Sequence, residues 1–170
     1  DLFEYTFTDG QLAEGVNYVK AAVRIIDGLS APSEPGGRTQ LSEPLILTLD
    51  TTPPDDATID LAISSDTGVV GDNVTTLSQP AFVGLAEAGA KVRVYANGTL
   101  VGQGVVNTDE SDDVIGDGQG TWEVTVEPLA DDDYVMTVEI EDLAGNITRS
   151  DDYEYIVVDP YEINDTIGEA

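Results

Sequence analysis

Aspartate, glutamate and asparagine are the residues of this chain that could do chemistry, because it contains no histidine and no cysteine. That removes thiolate nucleophiles, imidazole bases, disulfides and the usual zinc or copper ligands. The acids sit on loops rich in Gly, Ser and Asn. Asp66 and Asp72 lie in Ser64–Asn73, Asp109, Asp112, Asp113 and Asp117 in 109–118, Asp142 and Asn146 in one turn, and Asp50 and Asp159 at the ends of two β-like runs. Carboxylate and amide oxygens on Gly-bearing loops are what a hard cation such as Ca²⁺ requires, roughly six to eight at a time. A single Asp in a turn is there for backbone reasons. Clusters therefore carry the Ca²⁺ reading, and the spacing 109, 112, 113, 117 fits no strict EF-hand pattern.

Composition narrows the function classes. Six Lys and Arg stand against 34 Asp and Glu in 170 residues, a net charge of −28. Such a chain is repelled by nucleic acid and by anionic membranes, and its compact state gains from bound cations or screening. No apolar run reaches transmembrane length. Asp1 begins in mid-pattern with no signal peptide, so the chain reads as cut from something longer. A hydrophobic content of 41% is enough for a core, so the acidity is not a mark of disorder. Catalysis finds no motif: paired carboxylates exist, but no arrangement supplies a nucleophile with its base.

Val, Ile, Thr and Tyr fill the apolar runs and Gly, Pro, Asp and Asn punctuate them, which is β chemistry. Leu2–Thr8 alternates as a half-buried strand and Asp9-Gly10 turns it. Asn17–Asp27 is a second run, with a bulge expected at the adjacent Ile25 and Ile26, and Glu43–Leu49 is a third. Thr51-Thr52-Pro53-Pro54 is a stiff linker. Seven runs follow: Ala57–Ile63, Pro80–Ala86, Ala90–Ala96, Leu100–Asn107, Gly120–Glu127, Asp133–Asp142 and Asp152–Val158. Asn97-Gly98 joins the third and fourth, a strong hairpin signal. Val92, Val94, Ala96, Trp122, Val124 and Val126 form the expected inward set. Seven short strands of this kind predict an all-β, immunoglobulin-like antiparallel sandwich, with Tyr134 at a tyrosine corner.

The chain also repeats itself. Leu12-Ala13-Glu14 followed by Tyr18-Val19 aligns with Leu129-Ala130-Asp131 followed by Tyr134-Val135. Residues 1–52 thus read as the last three strands of a module plus linker, 53–159 as a complete module, and 160–170 as a linker or the start of another domain. Three strands leave an apolar face and an edge open. A second copy of the chain, in a symmetric dimer, is the simplest cover.

Sandwich topology gathers the acids at two poles. Asp66, Asp72, Asp131–Asp133 and Asp159 are expected at one. Asp50, Asp55, Asp56, the 109–118 loop and Asp142–Asn146 are expected at the other, facing Asp9 and Glu14 of the preceding half-module. The four Asn-x-Thr sequons, at Asn73, Asn97, Asn146 and Asn164, read as ordinary turn residues.

The succession Asp-Thr-Thr-Pro-Pro, Ser-Asp-Thr-Gly…Gly-Asp-Asn, Gly84-Leu85-Ala86-Glu87-Ala88-Gly89-Ala90, Gly120-Thr121-Trp122, Pro128-Leu129-Ala130-Asp131 and Asp142-Leu143-Ala144-Gly145-Asn146 resembles bacterial Ig-like repeats. The resemblance covers 50–159 well and 1–50 in part, and the 109–118 loop is longer and more acidic than the family's usual turn. Such repeats build the stalks of large secreted adhesins and biofilm-associated surface proteins. The resemblance implies a stalk module outside the cell, stacked on adjacent Ig-like modules, with Asp residues near the junctions binding Ca²⁺. Residues Asp159–Thr166 resemble the opening of a pre-peptidase C-terminal type domain. The rival readings are a glycan- or protein-binding Ig-like module and an accessory domain of a secreted hydrolase.

Overall fold

The computed structural model describes residues 4–25, 38–108 and 116–158, and of 23–25, 38–39 and 151–155 the backbone only. The chain divides into two units, Asp1–Thr51 and Thr52–Ala170. Among the described residues there is no helix, and so none long and apolar enough to cross a membrane.

In the first unit β1 (Gly15–Val19) pairs antiparallel with β4 (Leu45–Leu49), and β2 (Ala22–Ile25) with β3 (Arg38–Leu41). These are two stretches of one long hairpin. Between them the Ser42 N–H donates to the Ala21 carbonyl at 2.9 Å, while Ser42 Oγ accepts from the Ala21 N–H at 3.0 Å. Pro44, with no N–H to give, falls in this break. The interruption therefore lies at Lys20–Ala21, whereas Ile26 of the expected bulge lies outside the described residues.

The expected strand Leu2–Thr8 does not form over its described part, 4–8. It pairs with no described strand. Local contacts hold it instead. Tyr5 and Phe7 meet edge to face at 5.2 Å, and Gln11 accepts from the Thr8 N–H at 2.6 Å and donates to Tyr5 Oη at 2.9 Å.

The second unit is a two-sheet sandwich. One sheet has the order β10 (Gln119–Thr125), β7 (Ala81–Glu87), β5 (Asp60–Leu61). The other has the order β6 (Val74–Thr75), β12 (Ile147–Val158), β11 (Asp132–Glu141), β8 (Lys91–Ala96), β9 (Thr99–Val105). The β8–β9 turn has Asn97 at φ 47° and Gly98 at φ 79°, the left-handed pair that a tight hairpin demands. β11 and β12 slip register between Thr137 and Glu139.

All seven expected runs of this unit appear, with two differences. The first shrinks to Asp60–Leu61, because the chain leaves that sheet and crosses to the other. There β6 pairs with the end of β12 in parallel, Val74 opposite Val157 and Thr75 opposite Val158. The last strand also starts earlier than Asp152, at Ile147.

The core is the expected inward set together with Ile59, Leu61, Phe82, Met136, Val138, Ile140, Ile156 and Val158. Phe82 and Trp122, at 0% and 2% exposure, are its largest members. Gly84 lets the Thr58 backbone and the Trp122 indole both close onto β7. A Cβ there would lie 2.0 Å from the Thr58 carbonyl oxygen and 2.8 Å from the indole. Only glycine permits that approach.

Candidate functional site

The loop that carries the chain between sheets is built on tight turns. Ala62 O accepts from the N–H groups of Ser65 and Asp66 at 2.7 and 3.0 Å, and the Thr67 N–H reaches Val74 O at 3.1 Å. Gly68, Gly71 and Asn73 take positive φ, at 80°, 91° and 60°. Two acids project within this loop. Asp66 Oδ2 accepts from the Gly71 N–H. Its other oxygen, Oδ1, is buried without a hydrogen-bond donor among the described residues. Asp72 Oδ1 accepts from the Val74 N–H at 3.0 Å.

The Val157 N–H donates to Asn73 O at 3.0 Å, and Val158 lies opposite both Thr75 and Asp132. The loop with Asp66 and Asp72, the start of β11 with Asp132 and Asp133, and the end of β12 therefore share one pole of the sandwich. Asp159 follows Val158 directly and lies outside the described residues.

At the other pole Asp142 is buried and surrounded by donors. Its Oδ1 accepts from the N–H groups of Ala144, Gly145 and Asn146 at 2.8, 2.7 and 2.8 Å. Its Oδ2 accepts from Asn146 Nδ2 at 2.8 Å. Burial works to raise the Asp142 pKa, but the Asn146 side chain and these backbone N–H groups outweigh it and hold the carboxyl below its ordinary value. Asp142 and Asn146 thus lock the Leu143–Gly145 turn. Much of this carboxylate's accepting capacity, that of Oδ1 above all, is thus spent within its own turn.

The lead-in to the second unit is fixed to the same edge. Asn146 Nδ2 donates to Thr52 O at 3.3 Å, Thr148 Oγ1 to Pro54 O at 2.6 Å, and Ser150 Oγ to Ala57 O at 2.5 Å. Asn146, just before β12, and Thr148 and Ser150 within it thus hold three points of the Thr52–Ala57 segment. Beside it a shallow cavity of ≈ 450 Å³ is lined by Asp55, Asp56, Glu87, Ala88, Asp117, Gly118 and Gln119. Asp117 Oδ1 accepts from the Gln119 N–H at 2.8 Å. Asp109, Asp112 and Asp113 lie outside the described residues.

Asp50 belongs to the first unit, at the end of β4. Its neighbour Thr51 is held there by Glu14, whose carboxylate accepts from the Thr51 N–H at 3.0 and 3.2 Å and from Thr51 Oγ1 at 2.7 Å. The Thr51 side-chain and backbone bonds lower the Glu14 pKa. Among the described residues no three acidic side chains are grouped closely enough to hold a metal ion. The fit to Ca²⁺ consequently rests on Asp66 and its orphaned oxygen.

Charge is unevenly spread over the second unit. Lys91, Arg93 and Arg149 are its only cations, and all three meet on the outer face of one sheet. Arg93 bonds Glu139 at 3.0 Å and also Glu141, Lys91 bonds Glu141 at 2.8 Å, and Arg149 Nε bonds Glu139 at 2.8 Å. The bond from Arg149 is the main cause lowering the Glu139 pKa, overcoming burial, with Tyr95 and Arg93 adding to it. The loops at both poles are left to acids.

Glu87 was legible only as a strand residue, and Glu14 as one of the acids expected at the junction, not as the residue that holds Thr51. Glu87 ends the strand β7 that delivers it beside Asp55 and Asp117, and no local motif marks that meeting. Glu14 follows Ala13 as Asp131 follows Ala130, and the repeat was the signal available for it.

The family model for a bacterial Ig-like domain matches residues 52–159. No curated protein matches the chain.

Proposed function

The chain belongs to the bacterial Ig-like domain family through residues 52–159, and we propose from this that it is a non-catalytic stalk module of a bacterial surface or secreted adhesin. Domains of this family are typically surface or extracellular modules. In this reading 52–159 is one of several stacked modules that project a distal binding domain, supporting adhesion or biofilm formation. The observation that carries the reading is how the lead-in is fixed. Thr51 is tied to the first unit by Glu14 and Thr52 to the second by Asn146, so adjacent residues are each anchored to their own unit. A spacer needs this, whereas a flexible tether needs long unanchored linkers.

The second part of the proposal is Ca²⁺ at the pole that holds Asp66 and Asp72, with Asp159 the third acid expected from the sequence. The buried, donor-free oxygen of Asp66 supports it, as does the −28 net charge. A cation there would tie the Ser64–Asn73 loop to the chain leaving β12. Mg²⁺ should substitute poorly, because it demands a tight octahedron and gives up water reluctantly.

Calorimetry of the full chain in Ca²⁺, Mg²⁺ and EGTA at fixed ionic strength tests the cation part. At about 100 times its dissociation constant Ca²⁺ adds about 2.7 kcal/mol, a rise in melting temperature on the order of 10 °C. Asp66→Asn and Asp72→Asn should each remove part of that rise without lowering the melting point in EGTA. Full retention by both variants would sink the site. Small-angle scattering of a native chain carrying several modules tests the spacer part, which predicts an extended particle. A compact particle would count against it.

A further inference from the structure

The first unit exposes apolar side chains that its own strands cannot cover. Leu45, Leu47, Tyr18, Val16 and Ile46 are all exposed, and the second unit indicates which of them await a partner. Three features make the β1–β4/β2–β3 hairpin the counterpart of the β11–β12 hairpin. The first is a corner. Tyr134 Oη accepts from the Ala130 N–H at 3.1 Å and donates to the Ala130 carbonyl at 3.3 Å. Asn17 makes the same two bonds to Ala13, accepting at 3.0 Å and donating at 2.7 Å. Each side chain reaches the residue four positions back, and each target lies in a Leu-Ala-acid triplet.

The second feature is register. Asp132 faces Val158 two residues before its corner, and Gly15 faces Leu49 two residues before Asn17. The third is the position of the irregularity. The ladder of the second unit slips between Thr137 and Glu139, three to five residues past Tyr134. That of the first unit breaks between Val19 and Ala22, two to five residues past Asn17. The equivalent of Tyr134 is therefore Asn17 and not Tyr18, a one-residue correction to the alignment of the two tyrosines. In a strand one residue reverses the face.

With that register, Val19, Leu47 and Leu49 correspond to Met136, Ile156 and Val158. In the second unit these three are core, and Ile156 is 0% exposed against 37% for Leu47. They are covered by the sheet β10–β7–β5, with Phe82 and Trp122 as its large members. Tyr18 and Ile46 correspond to Val135 and Tyr155 and lie on the opposite face.

We infer that the Val19–Leu47–Leu49 face of the first unit is a docking surface for a three-stranded Ig-type sheet of the β5–β7–β10 kind, with a β8-type strand on the β1–β2 edge. A second copy of the hairpin would present only another Leu-rich hairpin face. What covers this face elsewhere in the same chain is a different sheet, carrying an aromatic pair. The inference stands on hairpin geometry and is independent of the cation site.

The test extends the chain by placing a copy of residues 52–128 directly before Leu12, the counterpart of Leu129, with everything from Leu12 to Ala170 kept. Amide exchange at Val19, Leu47 and Leu49 should slow by about a hundredfold or more, toward the rates of Met136, Ile156 and Val158. Leu47→Asp in the extended chain should erase the gain and leave 132–158 protected, while Ile46→Asp on the opposite face should keep it. Unchanged exchange at 15–49, or equal effects of the two Asp variants, would overturn the inference. So would a parent chain that sediments as a dimer with 15–49 already protected, since a second copy would then be the cover.

Discussion

Asn17 brackets the Ala13 peptide, accepting from its N–H at 3.0 Å and donating to its carbonyl at 2.7 Å, as Tyr134 brackets Ala130. Two chemically unlike side chains thus close the same corner. The phenol spans the gap with a ring and one oxygen that both accepts and donates, whereas the amide divides the roles between Oδ1 and Nδ2. Tyr134→Phe keeps the ring and loses both bonds. It should cost the second unit about 1 kcal/mol, read as a lower urea midpoint at unchanged slope. Asn17→Ala should leave that midpoint where it is.

Gly84→Ala should be far more damaging than its size implies. Its methyl would sit 2.0 Å from Thr58 O, a backbone atom that cannot rotate away. We expect a loss of about 2–3 kcal/mol and a change in Trp122 fluorescence. Gly89→Ala is the control. Its φ of 81° strains any side chain, but nothing lies within 4 Å, so about 1 kcal/mol is expected.

Acid should act through Glu139. Its folded pKa lies below the ordinary 4.5 because Arg149 bonds it, so the stabilisation is complete above that value. It is lost as pH falls through the folded value. Arg149→Met should lower the melting temperature at neutral pH, and its deficit should shrink as pH drops below about 4.5. A deficit that stays constant down to pH 3 would show that Arg149 acts by packing instead.

The lead-in can be loosened at one atom. Thr148→Val keeps the shape and removes the hydroxyl that donates to Pro54 O at 2.6 Å. Pro54 is buried, so its carbonyl would be left without that donor, at a cost of about 1–2 kcal/mol. Exchange at the Thr58 amide, which bonds Leu85 O at 3.0 Å, should accelerate first. Uniform acceleration across the second unit would mean global destabilisation and not a loosened lead-in.

The second unit was largely legible in the sequence, because its signals are local. Asn97-Gly98 specifies its turn by backbone conformation, and the alternation of Val92, Val94 and Ala96 specifies a buried face at period two. What escaped depends on distant partners. Val74–Thr75 is too short to show a pattern, and only the end of β12 makes it a strand. Leu2–Thr8 alternates well, yet over its described part it pairs with no described strand. Asp142 reads as a ligand by residue type, and that its carboxylate also gathers the N–H groups of its own turn was not legible. Asn17 was hidden because a corner defined by phenol chemistry is filled here by an amide.

The parallel pairing of β6 with β12 has a mechanical consequence. Traction applied between Thr52 and Val158 drags β6 back toward its start and draws β12 onward past its end. Two strands that run the same way are then pulled in opposite senses along their length, in shear. Hydrogen bonds loaded in shear share the tension and must rupture together, unlike a hairpin unzipping rung by rung. The rungs concerned are few, Val74 with Val157 and Thr75 with Val158, and the Asn73 carbonyl that holds Val157 belongs to the same loop as Asp66. Part of the force this sandwich withstands is thus set beside Asp66 and Asp72, where a few rungs must give way together.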